Sequence, residues 1–143
     1  MEYIPTTHQF VCVLNRTVEI GPALNALGHM ALGLAYQHKD NFSSLRFRDF
    51  IDKSESVHPA TSENPFIILK AKNGNKIRTL RNKLIADGVL FTDFTETMVP
   101  GNYVTQQSEF SETPESELEY YGVCFFMEKE KARQLTDKFQ LYT

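Results

Sequence analysis

The sequence predicts an α/β domain, a three-layer α/β/α sandwich around a mixed sheet of four or five strands. Three observations carry that expectation. Four short runs (residues 8–14, 66–71, 89–94 and 120–127) are apolar and rich in β-branched or aromatic residues, the pattern of buried strands. Segments of helical spacing alternate with them, and such alternation builds layers of helix on sheet. The chain has 143 residues, the size of a single domain, able to bury roughly two thirds of its unfolded surface without disulfide or metal.

Each element follows in order. HQFVCVL (8–14) ends at Asn15-Arg16 and reads as a central strand. Residues 19–38 read as a helix, with Gly21-Pro22 suited to a first turn where a missing N–H is harmless. Its expected core face is Ile20, Leu24, Leu27, Ala31 and Leu34. Ala23, Ala26, Gly28, Met30 and Gly33 make the other sides small and apolar, so neighbours are expected on more than one side. LRFRDFI (45–51) alternates apolar and charged residues, the pattern of an edge strand. Residues 52–64, with Pro59, read as a polar loop. FIILKA (66–71) is a second buried strand, and Asn73-Gly74-Asn75 is turn chemistry. Residues 76–87 form an amphipathic helix with Ile77, Leu80, Leu84 and Ile85 inward, stopped by Gly88. VLFTDF (89–94) is the third strand. Residues 95–119 show neither period and are expected to be a long acidic loop or insertion. YYGVCFFM (120–127) is the fourth strand, and 128–139 closes as a helix with acidic residues early, as the dipole favours.

The bulk numbers bound the function. Hydrophobic residues make up 41% of the chain and charged residues 23%, with a net charge of −3. A nucleic-acid partner would therefore need a local basic patch, for which the candidates are Lys70, Lys72, Lys76, Arg78, Arg81 and Lys83. The solvated face of a helix is the commoner origin of such a run. The opening MEYIPTTHQFVCVLN has no basic n-region and does not read as a signal peptide. The apolar run 20–36 is short for a membrane span and is interrupted by Asn25 and His29. Cys12 and Cys124 lie in strand-like runs and are expected reduced and buried. A cytoplasmic location fits these features.

No nucleophile elbow, P-loop, dinucleotide fingerprint or zinc-protease motif is present. The four histidines lack metal-ligand spacing, and no cofactor or metal is expected. Two groups of polar residues remain. Asn25 and His29 stand at i and i+4, on one helix face; they face a pocket, or His29 is a core histidine bonded to a carbonyl. Asp93 ends the third strand, where ligand crevices of open α/β sheets lie, followed by Thr95, Glu96 and Thr97. These serve a cleft or are turn and cap chemistry.

FVCVLN followed by GPALNALGHMALGLAY, with VLFTDFTET and the closing YYGVCFFMEKEKARQLTDKFQLY, resembles the type II peptidyl-tRNA hydrolases. ALNALGHMALGL, FIILKA, LFTDFTETM and ELEYYGVCFF with its closing helix, and the long acidic loop before ELEYYGV, resemble more closely the bacterial family catalogued as Domain of Unknown Function 2000, regarded as sharing that fold. The hydrolase resemblance implies site roles for His29, Asp93 and Thr97. It also places Pro22 where those enzymes keep a functional lysine and Ala26 where they keep a glutamine. Proline can neither meet a phosphate nor polarise a reacting group. The expectation is therefore a protein that binds a small ligand or partner near His29 and Asp93, with Asn25, Thr95 and Glu96 contributing. The alternative is a divergent hydrolase of an aminoacyl or peptidyl ester, using His29, Asp93 and Thr97.

Overall fold

β1 (His8–Asn15) is the middle strand of a five-stranded mixed sheet in the computed structural model, which describes residues 1–143. On one side it pairs in parallel with β4 (Phe66–Ala71), which β7 (Gln140–Leu141) edges antiparallel. On the other it pairs antiparallel with β6 (Tyr120–Glu128), and β6 with β5 (Phe91–Thr95). Period-2 alternation divides β1 between two cores. Phe10, Cys12 and Leu14 pack with α1 (Ile20–Gln37), while Val11 and Val13 pack with α2 (Gly74–Ala86) and α4 (Lys129–Thr136). That is a three-layer α/β/α arrangement with a mixed sheet. Cys12 and Cys124, both buried and free, are directly opposed across β1 and β6. No helix is long and apolar enough to cross a membrane.

α1 corrects the expected core face. Ala23, Ala26, Met30 and Leu34 are buried, whereas Ile20 and Leu24 are 55% and 54% exposed. Small residues win because they let the helix lie close to the sheet. At Gly33 a Cβ would come within 3.0 Å of the Thr92 methyl, and Gly122 of β6 leaves room for the Met30 side chain. The larger side chains stay on the outer side. In α2, Ile77, Leu80 and Leu84 are buried as expected, and Ile85 is exposed.

Two other segments differ from expectation. LRFRDFI is not an edge of the main sheet: β2 (Phe47–Ile51) pairs with β3 (Val57–Ser62), inside the expected polar loop, as a separate two-stranded ribbon. Its turn is built by the Asp52 carboxylate, which accepts from the N–H groups of Ser54 and Ser56. Pro59 is tolerated because it lies in the bulge itself, where Pro59 and Ala60 face the single residue Asp49. Residues 95–119 are not an irregular loop. They hold a 3₁₀ turn (Glu96–Met98), α3 (Tyr103–Glu112) and another 3₁₀ turn (Glu115–Glu117). Asn102 caps α3 by accepting from Val104 and Thr105. No residue of α3 is buried, so its sequence carries no apolar stripe to read.

Candidate functional site

α1 and β5 meet α3 around a cleft of about 470 Å³ lined by Asn25, His29, Met30, Asp93, Phe94 and Gln106, among others. The i,i+4 spacing sets Asn25 and His29 on the outward side of α1, and both are exposed. His29 stacks on Phe94 with ring centroids 5.6 Å apart. The wall is held by Thr92, whose hydroxyl donates to the Met30 carbonyl at 2.8 Å and so ties β5 to α1. Gln106 comes from α3, in the stretch expected to be a loop; Asn102, its N-cap, is the residue from which a helix start could have been read there.

Asp93 also lines this cleft from β5, but its carboxylate is bonded to a residue of the opposite helix layer. Neighbouring residues of a strand point to opposite faces. Phe94 and Thr92 turn toward α1, so the Asp93 carboxylate turns toward α2, where Arg81 Nε donates to it at 2.8 Å. Beyond this pair lies a polar network. Glu115 accepts from Arg78 Nε at 2.7 Å and from the Tyr120 hydroxyl at 3.1 Å. The Arg78 and Arg81 guanidiniums lie 5.2 and 5.7 Å from the Tyr120 ring centroid. Burial pushes the Asp93 carboxyl above its ordinary value, against the opposing pull of Arg81. Burial likewise pushes the Tyr120 hydroxyl up to about 12. Arg78 and Arg81 are thus committed to acids and an aromatic ring, and the basic run of the sequence divides.

The residues after Asp93 are tied into the chain. Thr95 and Thr97 are both buried, and their hydroxyls bond to each other at 2.8 Å. The Glu96 carboxylate accepts from the Glu119 N–H at 2.7 Å, which anchors the start of β6. Of the expected residues, Asn25, His29 and Asp93 line one cleft, with the Asp93 carboxylate turned to Arg81 across the sheet; Thr95, Glu96 and Thr97 bond within the strand exit. Pro22 sits exposed in the first turn of α1.

His38 occupies another hollow, of about 820 Å³, at the opposite end of the sheet. It is buried, neither ring nitrogen meets a hydrogen-bond partner, and its ring lies edge-on to Phe126 at 5.4 Å. Nowhere do three or more His, Cys, Asp or Glu side chains gather as a metal ion would require.

A family model described as protein of unknown function (DUF2000) matches residues 8–143. The fold is similar to a solved structure described as a protein of unknown function, Atu0240, from Agrobacterium tumefaciens strain C58. That likeness has a TM-score of 0.81, 13% identity, and covers 96% of this chain and 98% of that one. At that identity it speaks for the fold alone. No curated protein matches the chain.

Proposed function

The chain belongs to the DUF2000 family, and from that premise we propose that it binds a small ligand in the cleft between α1, β5 and α3. The observation that carries this reading is the convergence of Asn25, His29 and Gln106 around a wall of Met30, Phe94, Met98 and Val99. Four of the nine lining residues are hydrophobic, and an apolar wall with a few convergent polar groups is what ligand sites offer. Two amides and an imidazole supply donors and acceptors with no fixed charge while the imidazole is neutral. The ligand class that suits them is a polar, uncharged molecule with an apolar part, met in the cytoplasm. In this reading Thr95, Glu96 and Thr97 hold the strand exit rather than touch ligand.

The divergent-hydrolase reading, which rests on the resemblance to type II peptidyl-tRNA hydrolases, has less support. It needs His29, Asp93 and Thr97 to act on one reacting atom. The Asp93 side chain is bonded to Arg81 on α2, and Thr97 is bonded to Thr95.

The test is a fragment titration followed by NMR. Fragments of the proposed class should perturb the His29 ring and the Asn25 and Gln106 side-chain amides together, and Gln106→Ala should weaken those responses. The reading fails if fragments leave all three unmoved. It also fails if peptidyl-tRNA is turned over and Asp93→Asn abolishes the turnover.

A further inference from the structure

We propose that a second groove, on the other side of the sheet between α2 and α4, binds a phosphorylated ligand of nucleotide size. The groove has a volume of about 630 Å³ and is lined by Arg16, Lys70, Lys72, Lys76, Lys83 and Lys138. These are six of the fifteen Lys and Arg residues of a chain whose net charge is −3. A single carboxylate, Asp137, lines the groove with them.

Unpaired lysines occur singly elsewhere, at Lys39, Lys53, Lys129 and Lys131, but only here do six cations gather round one concavity, and every arginine outside it is paired to an acid. Arg46 and Arg48 are held by Glu63, Arg78 by Glu115, Arg81 by Asp93 and Arg133 by Glu130. Among the six groove cations only Lys83 has an acidic partner, Asp87 at 3.3 Å, on the exposed side of α2. Such an exposed pair is weak and readily exchanged. Elsewhere arginine charge is spent inside the chain, and here charge of one sign is left facing a concavity. Like charges held together without partners are unfavourable on their own, and an anion between them relieves the repulsion.

The topology favours one end of this groove, where Arg16, Lys70 and Lys72 lie. β1 and β4 are adjacent and parallel. The chain leaves β1 for α1 on one face and leaves β4 for α2 on the other. Where neighbouring parallel strands send their helices to opposite faces, a crevice opens at the strands' carboxyl ends. Arg16 follows β1 and Lys72 follows β4 at that end. Asn15 braces the corner: its side chain donates to the Tyr120 carbonyl at 3.0 Å and accepts from the Thr17 N–H at 2.9 Å.

The floor narrows the ligand class. Leu80, Leu135 and Phe139 line the groove beneath the cations, so a ligand with a flat or apolar body suits it better than bare phosphate. The volume is that of one small ligand. A polynucleotide would need a longer positive track than this one groove, and the remaining arginines are paired to acids.

Calorimetric titration with ADP, pyrophosphate and adenosine, and anisotropy with a labelled single-stranded RNA, tests this at about 50 and about 300 mM salt. The expected result is ADP binding tighter than adenosine or pyrophosphate and weakening with salt. Lys76→Ala with Lys138→Ala should lower the ADP affinity roughly tenfold or more. These are exposed lysines, so the thermal midpoint should hold, and His29→Ala should leave ADP binding unchanged. That last result separates this site from the cleft on α1. No binding of ADP or pyrophosphate up to about 1 mM at low salt overturns the proposal, as does binding indifferent to the two lysines. Equal affinity for pyrophosphate and ADP overturns the nucleotide assignment. RNA bound more tightly than ADP through the same lysines makes the groove a nucleic-acid surface instead.

Discussion

Arg81 Nε donates to Asp93 Oδ2 at 2.8 Å, from the helix layer opposite the one that carries His29. Asp93 is therefore a partner of the α2 layer. Its side chain is 17% exposed and that of Arg81 23%, so the pair is largely but not wholly removed from water.

Removing one partner is expected to cost far more than neutralising the other. Arg81→Ala strands a mostly buried carboxylate and should cost about 2–3 kcal/mol, below the fully buried range because both groups keep some solvent. Asp93→Asn keeps an acceptor for Arg81 and should cost under about 1 kcal/mol at neutral pH. Because burial raises the Asp93 carboxyl, the stability this group contributes is present at low pH and lost as pH rises through its folded value. The Asn variant should therefore gain on the wild type as pH rises above the ordinary carboxylate range. Urea midpoints across that rise check both statements.

His38 should set an acid limit on stability. Burial pushes its imidazole below the ordinary value, with His8 acting in the same direction and Asn41 against both. The unfolded chain then takes up the proton first. Stability is complete above about pH 6.5 and falls as pH drops from there toward the folded-state value. His38→Leu removes the two unbonded ring nitrogens and should flatten that acid limb in thermal melts recorded from about pH 7 to about pH 5.

Two glycines should respond oppositely to alanine. At Gly122 a Cβ would meet the Met30 Cε at 2.7 Å and the Val13 carbonyl at 3.0 Å. Backbone cannot step aside there, so Gly122→Ala should cost about 1–3 kcal/mol. Gly28 lies inside α1 with nothing within 4 Å of its would-be Cβ. Gly28→Ala should add about 0.5–1 kcal/mol through helix propensity. Denaturant midpoints of the two variants should move in opposite directions.

α3 should open on its own. None of its residues is buried, so its amides should exchange with solvent well before those of β1. Asn102→Ala deletes the acceptor for Val104 and Thr105 and should cost the helix about 1 kcal/mol. Hydrogen exchange of α3 should quicken while the global unfolding midpoint stays put.

What was legible in the sequence is what apolar burial writes there. β1, β4 and β6 read correctly because they are buried from both faces, and Leu80 and Leu84 mark the inward side of α2. α1 read wrongly in rotation: large apolar residues dominate its pattern, but close packing at Gly33 and Gly122 chose the alanines. α3 and β3 left no apolar period because neither faces a core. At the candidate site, the pairing of Asn25 with His29 followed from helix geometry. The turning of the Asp93 carboxylate away from His29 did not, because one residue of strand phase decides which layer a side chain meets. That phase is fixed by Thr92 bonding to α1, 62 residues away, and by Arg81 bonding to Asp93, 12 residues away.

The placing of β1 has a kinetic consequence. Its ladder partners run from Phe66 on one side to Glu128 on the other, so the middle of the sheet is zipped by contacts between distant parts of the chain. Such contacts must overcome loop-closure entropy before they give anything back, and domains built on them fold slowly. Until β6 arrives, the apolar surfaces of β1 and α1 lack their cover, and aggregation competes with folding during that interval.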